Sequence, residues 1–124
     1  MKFLVIDDSP TMLRIVANTL ERIGYKDIVK ASDGVEGLAK FDASIGFIIT
    51  DWNMPNMNGL DFAVALRAMP GGEHVPVLMV TTRSAREDII RAMEAGVNNY
   101  ILKPFTAPVL KEKIDAMTSA VAVA

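Results

Sequence analysis

Five short apolar runs alternate with segments of helical periodicity, and that alternation constrains the chain more than anything else in it. Phe3, Leu4, Val5 and Ile6 form a continuous apolar run, the mark of a strand covered on both faces. Ser9 can cap a helix whose first position is Pro10, and Leu13, Val16, Leu20 and Ile23 recur at helical spacing before Gly24 ends it. Ile28 and Val29 make a weaker run. Asp33 and Glu36 read as a capping box for a second helix that Val35, Leu38 and Phe41 carry inward. The third strand is read over residues 47–50. A third helix follows Asn58 and Gly59, with Leu60, Ala63 and Leu66 on one side, and Pro70, Gly71 and Gly72 end it. Residues 77–80 are the fourth strand, closing at Thr81 and Thr82. Ser84 and Glu87 read as another capping box, for a helix reaching Ala95. Residues 100–102 are the fifth strand, and Leu110, Ile114 and Met117 mark the last helix.

Strand and helix in alternation predict an α/β fold, a doubly wound parallel sheet with helices on both faces. The first, third and fourth strands are the most apolar and so belong in the middle. That favours the order 2-1-3-4-5, the flavodoxin-like (βα)5 winding. A chain of 124 residues is one domain with length enough for a real core. Residues 118–124 are expected to form a loose tail. The net charge of -2 excludes a general binder of phosphate backbones, which needs a concentrated basic surface. With no cysteine, disulfides, thiolate metal sites and thiol nucleophiles are excluded together. The apolar run at the N-terminus is too short for a signal peptide, and no stretch nears the roughly 20 apolar residues of a membrane span. A soluble cytoplasmic protein is expected, with neither nucleic acid nor membrane as partner.

In a parallel sheet all strands deliver their C-terminal residues to one edge, where ligands bind. The first strand delivers Asp7 and Asp8, the third Asp51, the fourth Thr81 and the fifth Lys103. Any one of these alone is ordinary: Asp8 favours a helix start through the dipole, and Lys103 with Pro104 makes a turn. As a set they are a chemistry. Two unit charges 4 Å apart at an effective dielectric of 20 interact by about 4 kcal/mol, so the acids repel one another. Lys103 offsets only one of the three carboxylates. A divalent cation would complete the balance, and oxygen-only donors select a hard ion such as Mg²⁺. A carboxylate beside such an ion, a hydroxyl and an ammonium is a phosphoryl acceptor. Asp51, from a central strand, is the nucleophile of choice. Asp7 and Asp8 serve better as metal ligands, with Thr81 and Lys103 binding phosphoryl oxygens.

These residues, together with the stretch from Asp51 through Asn53 and Pro55 to Gly59 and Leu60, and with Lys103, Pro104 and Phe105, resemble the receiver domain of bacterial two-component response regulators. The resemblance spans essentially the whole chain and is strongest to the single-domain chemotaxis members, which implies a receiver domain over residues 1–124 with no output domain. It implies that Asp51 takes a phosphoryl group from the phosphohistidine of a histidine kinase. Mg²⁺ would be held by Asp8, Asp51 and the backbone carbonyl of Asn53, with Asp7 acting partly through water. Lys103 and Pro104 would be joined by a cis peptide bond. Tyr100 would swing inward on phosphorylation, changing the surface of the fourth helix, fifth strand and fifth helix, and Thr82, Pro104 and Phe105 would belong to that switch region.

On the fourth helix Ile90 is expected to pack inward. Arg86, Ile89 and Met93 then form a partner-facing stripe, for a flagellar motor switch protein or a phosphatase. The expected state is a monomer that assists only its own phosphotransfer and autodephosphorylation. Some positions depart from the commonest family pattern: Ser9, Pro10, Asn58 and Thr82. In the family, positions matching Asn53 and Arg83 influence phosphoryl lifetime, so Arg83 leaves the self-hydrolysis rate open. Trp52 flanks the site as a fluorescence reporter, and His74 is expected in solvent. Two other readings stand beside the switch: a phosphate sink or phosphorelay intermediate without motor output, and a Mg²⁺-dependent phosphohydrolase of the haloacid dehalogenase type. The hydrolase would want a second Asp two residues after Asp7, where Ser9 stands.

Overall fold

The computed structural model describes residues 1–123, with side chains described through residue 118. Strands β1 (Lys2–Ile6), β2 (Ile28–Ala31), β3 (Ile45–Asp51), β4 (Val77–Thr81) and β5 (Asn99–Leu102) alternate with helices α1 (Pro10–Ile23), α2 (Gly34–Lys40), α3 (Gly59–Arg67), α4 (Arg86–Glu94) and α5 (Ala107–Val123). All neighbouring strands are parallel, in the order β2-β1-β3-β4-β5, so the flavodoxin-like winding is as expected. α5 is helical to Val123 where a loose tail was expected from Thr118, and Ala124 lies outside the described residues.

The strand alternation divides the core in two. Leu4, Ile6, Ile48 and Met79 face Phe62 and Leu66 of α3 and Ala92 of α4. Phe3, Val5, Phe47, Ile49, Leu78 and Val80 face Val16 and Leu20 of α1 and Leu110 and Ile114 of α5. β1, β3 and β4, the most apolar runs, are covered on both faces and central, which leaves the weaker β2 and β5 at the edges.

Local chemistry sets the helix starts. Ser9 Oγ accepts the Met12 N–H at 3.2 Å, and Asn58 Oδ1 accepts the Asp61 N–H at 2.8 Å. Asp33 Oδ1 accepts the Glu36 N–H at 2.8 Å, while Glu36 reaches back to the N–H of Ser32 at 3.1 Å.

Three expectations are corrected. α4 begins after Ala85, which makes no side-chain cap bond, so Ser84 sits one position too early to cap with Glu87. Ile90 is 44% exposed while Ile89 is half-buried, the reverse of the expected orientation. The cause is Ala92, the buried residue of α4, with which Ile89 aligns at i−3. Val35 is also exposed rather than inward. α2 instead turns Gly34 and Gly37 inward, and a Cβ at Gly37 would stand 2.5 Å from Ile6 Cδ1. A side chain there would force Ile6 to shift.

Candidate functional site

Strand register explains why the chemistry gathers at one place. β1 and β3 pair with Ile6 opposite Thr50, so the next residues, Asp7 and Asp51, leave the sheet side by side. β3 and β4 pair with Asp51 opposite Val80, and β4 and β5 with Thr81 opposite Leu102, which brings Thr81 and Lys103 to the same rim. Each side chain is held by the first residues of its own loop. Asp7 Oδ1 accepts the Ser9 N–H at 2.9 Å, and Asp51 Oδ1 accepts the Trp52 N–H at 2.7 Å. Their other oxygens converge on Lys103, whose Nζ lies 3.3 Å from Asp51 Oδ2 and 3.8 Å from Asp7 Oδ2.

Asp8 completes the cluster. One oxygen each from Asp7, Asp8 and Asp51 lie within 4.8 Å of one another, graded from buried Asp7 through half-buried Asp51 to exposed Asp8. Burial pushes the Asp7 carboxyl above its ordinary value of 3.8, and the neighbouring charges of Asp51 and Asp8 push the same way. The Ser9 N–H and Lys103 oppose this without cancelling it. Three carboxylates against one ammonium leave the rim short of positive charge. Oxygen donors at this spacing, open to solvent on the Asp8 side, fit a hard divalent ion that keeps some of its waters.

Thr81 is buried, and its Oγ1 accepts the N–H of Arg83 at 3.0 Å, so the hydroxyl faces its own loop. The Asn53 side chain turns to Arg83, accepting from Nη2 at 3.2 Å. Trp52, 4% exposed, lies under the Arg83 guanidinium, with 4.6 Å from its carbon to the ring centroid. That stack went unread in the sequence, because nothing in the spacing of Trp52 and Arg83 marks it.

The other expected residues lie outside the acid cluster. Tyr100 is half-buried, with Lys113 Nζ 5.5 Å from its ring centroid. Tyr100, Pro104, Phe105 and Val109 help to line a groove of about 310 Å³ on the β5 edge. Thr82 is exposed and, with Lys103, Pro104 and Phe105, lines a second groove of about 370 Å³ against Met12 and Ile15 of α1. Sequence periodicity missed that groove, since it treats α1 only as a core helix. The Lys103–Pro104 peptide bond is cis, as the resemblance implied. Arg86 and Met93 are exposed on α4 as expected, with Ile90 between them in place of Ile89. His74 is exposed. Among the described residues, no helix is long and apolar enough to cross a membrane.

Comparison with known proteins agrees with this arrangement. The family model described as response regulator receiver domain matches residues 3–115. Chemotaxis protein CheY1 of Helicobacter pylori is 51% identical over 119 residues, covering 94% of this chain and 96% of that protein. The CheY homolog of Campylobacter jejuni is 50% identical over 117 residues, covering 93% of this chain and 90% of the relative. The structure of the chemotaxis response regulator CheY4 of Vibrio cholerae superposes with a TM-score of 0.85 at 34% identity, covering 94% of this chain and 97% of that one. A response regulator receiver domain protein from Clostridium thermocellum gives 0.87 at 32% identity, covering 98% and 97%. The chain therefore belongs to the response regulator receiver domain family, a family of signalling domains, and within it is closely related to the CheY chemotaxis regulators.

Proposed function

We propose that this chain is a phosphorylation-activated switch in chemotaxis, taking a phosphoryl group from a histidine kinase onto Asp51. The observation that carries this reading is the convergence on Lys103: Asp51 Oδ2 stands 3.3 Å from the ammonium, with two further acids on one side and the end of β4 on the other. A carboxylate in that position is a nucleophile with one counter-charge already in place and a cluster of acids beside it to take up a cation.

In the transfer, a carboxylate oxygen of Asp51 forms the new O–P bond as the P–N bond to the donor imidazole breaks. The ring, protonated on its other nitrogen, leaves neutral with the electron pair of the broken bond. Lys103 offsets charge on the phosphoryl oxygens and holds Asp51 in place. Asp7, Asp8, Asp51 and the backbone carbonyl of Asn53 would hold Mg²⁺, Asp7 partly through water, and the ion would supply the positive charge that the rim lacks.

The aspartyl phosphate then acts as a switch. Its oxygens attract the Thr81 hydroxyl, and one charge-assisted hydrogen bond, worth about 1.5–3 kcal/mol, shifts a two-state equilibrium at least tenfold. As Thr81 moves inward, Tyr100 follows into the vacated space, and the α4-β5-α5 face changes. Arg86, Ile90, Met93, Pro104 and Phe105 then present the altered face to a partner, by analogy with the chemotaxis relatives a flagellar motor switch protein or a phosphatase. The working form is a cytoplasmic monomer.

A small phosphodonor such as acetyl phosphate, given with Mg²⁺, should add one phosphoryl group per chain. Intact-mass measurement should show none on Asp51→Asn and none when Mg²⁺ is chelated. Labelling that survives in Asp51→Asn would remove the reading. Release of many equivalents of phosphate from a phosphoester would replace it with a hydrolase.

A further inference from the structure

Arg83 gathers contacts that phosphotransfer itself does not need. Its backbone N–H holds the Thr81 hydroxyl at 3.0 Å. Its guanidinium donates to Asn53 at 3.2 Å, lies 3.6 Å from Asp88 Oδ1 and covers Trp52. One residue thus links the end of β4, the loop after β3 and the first turn of α4. Its Nε is buried without an acceptor. An orphaned charged donor is unfavourable, so the guanidinium is held there by its other contacts and not by its own best hydrogen bonding.

α4 makes that link consequential. Ala85, its N-cap, supplies no side-chain bond, so the helix start has little local anchorage. Asp88 lies in the first turn, where a negative charge suits the helix dipole. Of the two cations on Asp88, Arg91 at 3.6 Å belongs to the same helix, whereas Arg83 belongs to the loop that follows Thr81. Two and five residues beyond Asp88, Ile90 and Met93 stand exposed.

We propose that Arg83 is a resting-state clasp, a positioning residue that ties α4 to the mouth of the site until an oxyanion on Asp51 opens it. This rests on reading Asp51 as the phosphoacceptor. To donate to that oxyanion, the Thr81 hydroxyl must move toward Asp51, and because its oxygen goes on accepting the Arg83 N–H it draws the Arg83 backbone with it. The side chain cannot follow and still keep both Asn53 and Asp88, which sit on different elements. Opening the clasp therefore opposes phosphorylation and, once achieved, frees the first turn of α4. By linkage, removing the clasp must raise the apparent affinity for the oxyanion.

Calorimetric titration with BeF₃⁻ in the presence of Mg²⁺ tests this on wild type, Arg83→Met, Asp88→Asn, the double variant and Arg91→Met. Half-exposed pairs of this kind support a gain of about two- to fivefold in affinity for each of the first two. The double variant should bind no tighter than either single, and Arg91→Met, which leaves Asp88 to Arg83 alone, should show no gain. Amide exchange at Asp88 and Ile89 should accelerate in Arg83→Met while that of α1 does not, which a general loss of stability would not produce. Weaker binding by Arg83→Met would make Arg83 a ligand of the oxyanion and overturn the clasp. So would gains that multiply in the double variant, or unchanged affinities. A wild type that binds no BeF₃⁻ removes the phosphoacceptor reading and the clasp with it, whereas unchanged variants of a binding wild type remove the clasp alone.

Discussion

At the carboxyl rim of the sheet three carboxylates share one ammonium, whereas at the amino rim a single guanidinium has an oxygen for every N–H. Arg67, the last residue of α3, donates from Nε to the Gly96 carbonyl at 3.1 Å and from Nη2 to the same carbonyl at 2.7 Å. Nη1 reaches the carbonyls of Gly72 and Val75 at 3.0 and 2.7 Å, and Nη2 also reaches Asn98 Oδ1 at 2.8 Å. These use all five donors of a guanidinium. The same Asn98 oxygen accepts the N–H of Val77, the first residue of β4. Every one of those acceptors is a neutral oxygen, and burial presses the Arg67 pKa below the ordinary arginine value. One rim is fully satisfied and fastens the loops before β4 and β5. The other is left in repulsion, and a rim of that kind favours a cation.

The largest effect should follow from breaking the satisfied rim. Arg67→Met strands the carbonyls of Gly72, Val75 and Gly96 together. Charge-assisted hydrogen bonds are worth about 1.5–3 kcal/mol each, but partial exposure and water discount the sum, and a loss of about 3 kcal/mol is expected. For a domain of this size that lowers Tm by roughly 10 °C, measurable by circular dichroism. Arg67→Lys should recover little, since one ammonium cannot span that fan of acceptors. Acetyl phosphate labelling of Asp51 should persist in both variants below their melting points. Loss of labelling in the folded variant would show that the rims are not independent.

The asymmetry between the rims also decides what could be read from sequence. The carboxyl rim was legible because its residues end or directly follow strands whose apolar runs are unmistakable, and parallel strands must deliver them together. Asp7, Asp8, Asp51, Thr81 and Lys103 follow from that alone. Arg67 left no such mark: its partners are mostly backbone carbonyls, which any residue carries, and they lie in loops of no fixed spacing. Ile89 and Ile90 were reversed for a related reason, since two adjacent apolar residues 100° apart leave the helix phase undecided until a buried neighbour, Ala92, sets it. Gly34 and Gly37 show the opposite failure. An inward face made of glycine carries no hydrophobic signal, so Val35 drew the assignment.

A smaller effect should come from relieving the unsatisfied rim with the ion it fits. Ligand that binds only the folded state stabilises it by RT ln(1 + [L]/Kd), about 1.4 kcal/mol at ten times Kd. Mg²⁺ should therefore raise Tm by several degrees in wild type and in Arg67→Met alike, and by little in Asp8→Asn. An equal rise in all three would place the ion away from the acid cluster.

The smallest effect separates two acids that share the carboxyl side of the sheet. Asp7 has its folded pKa raised above 3.8 by burial and by Asp51 and Asp8, so its contribution to stability is full below 3.8 and is lost as pH rises through the folded value. Without divalent ions Asp7→Asn should accordingly stabilise the protein at neutral pH, by about 1 kcal/mol if the relief matches that of a half-screened like-charge contact. Asp33 is the contrary case. The Glu36 N–H and the Asn56 side chain hold its carboxyl below 3.8, so its contribution is present above that value and lost as pH falls through the folded pKa. Asp33→Ala should lower Tm at neutral pH, and the difference should shrink on acidification. Melting curves of the two variants from pH 7 downward should start on opposite sides of wild type and approach it as the carboxylates protonate. Should Asp7→Asn melt below wild type at pH 7 in chelator, its neighbours would not be repelling it, and the contrast between the two rims would be one of packing alone.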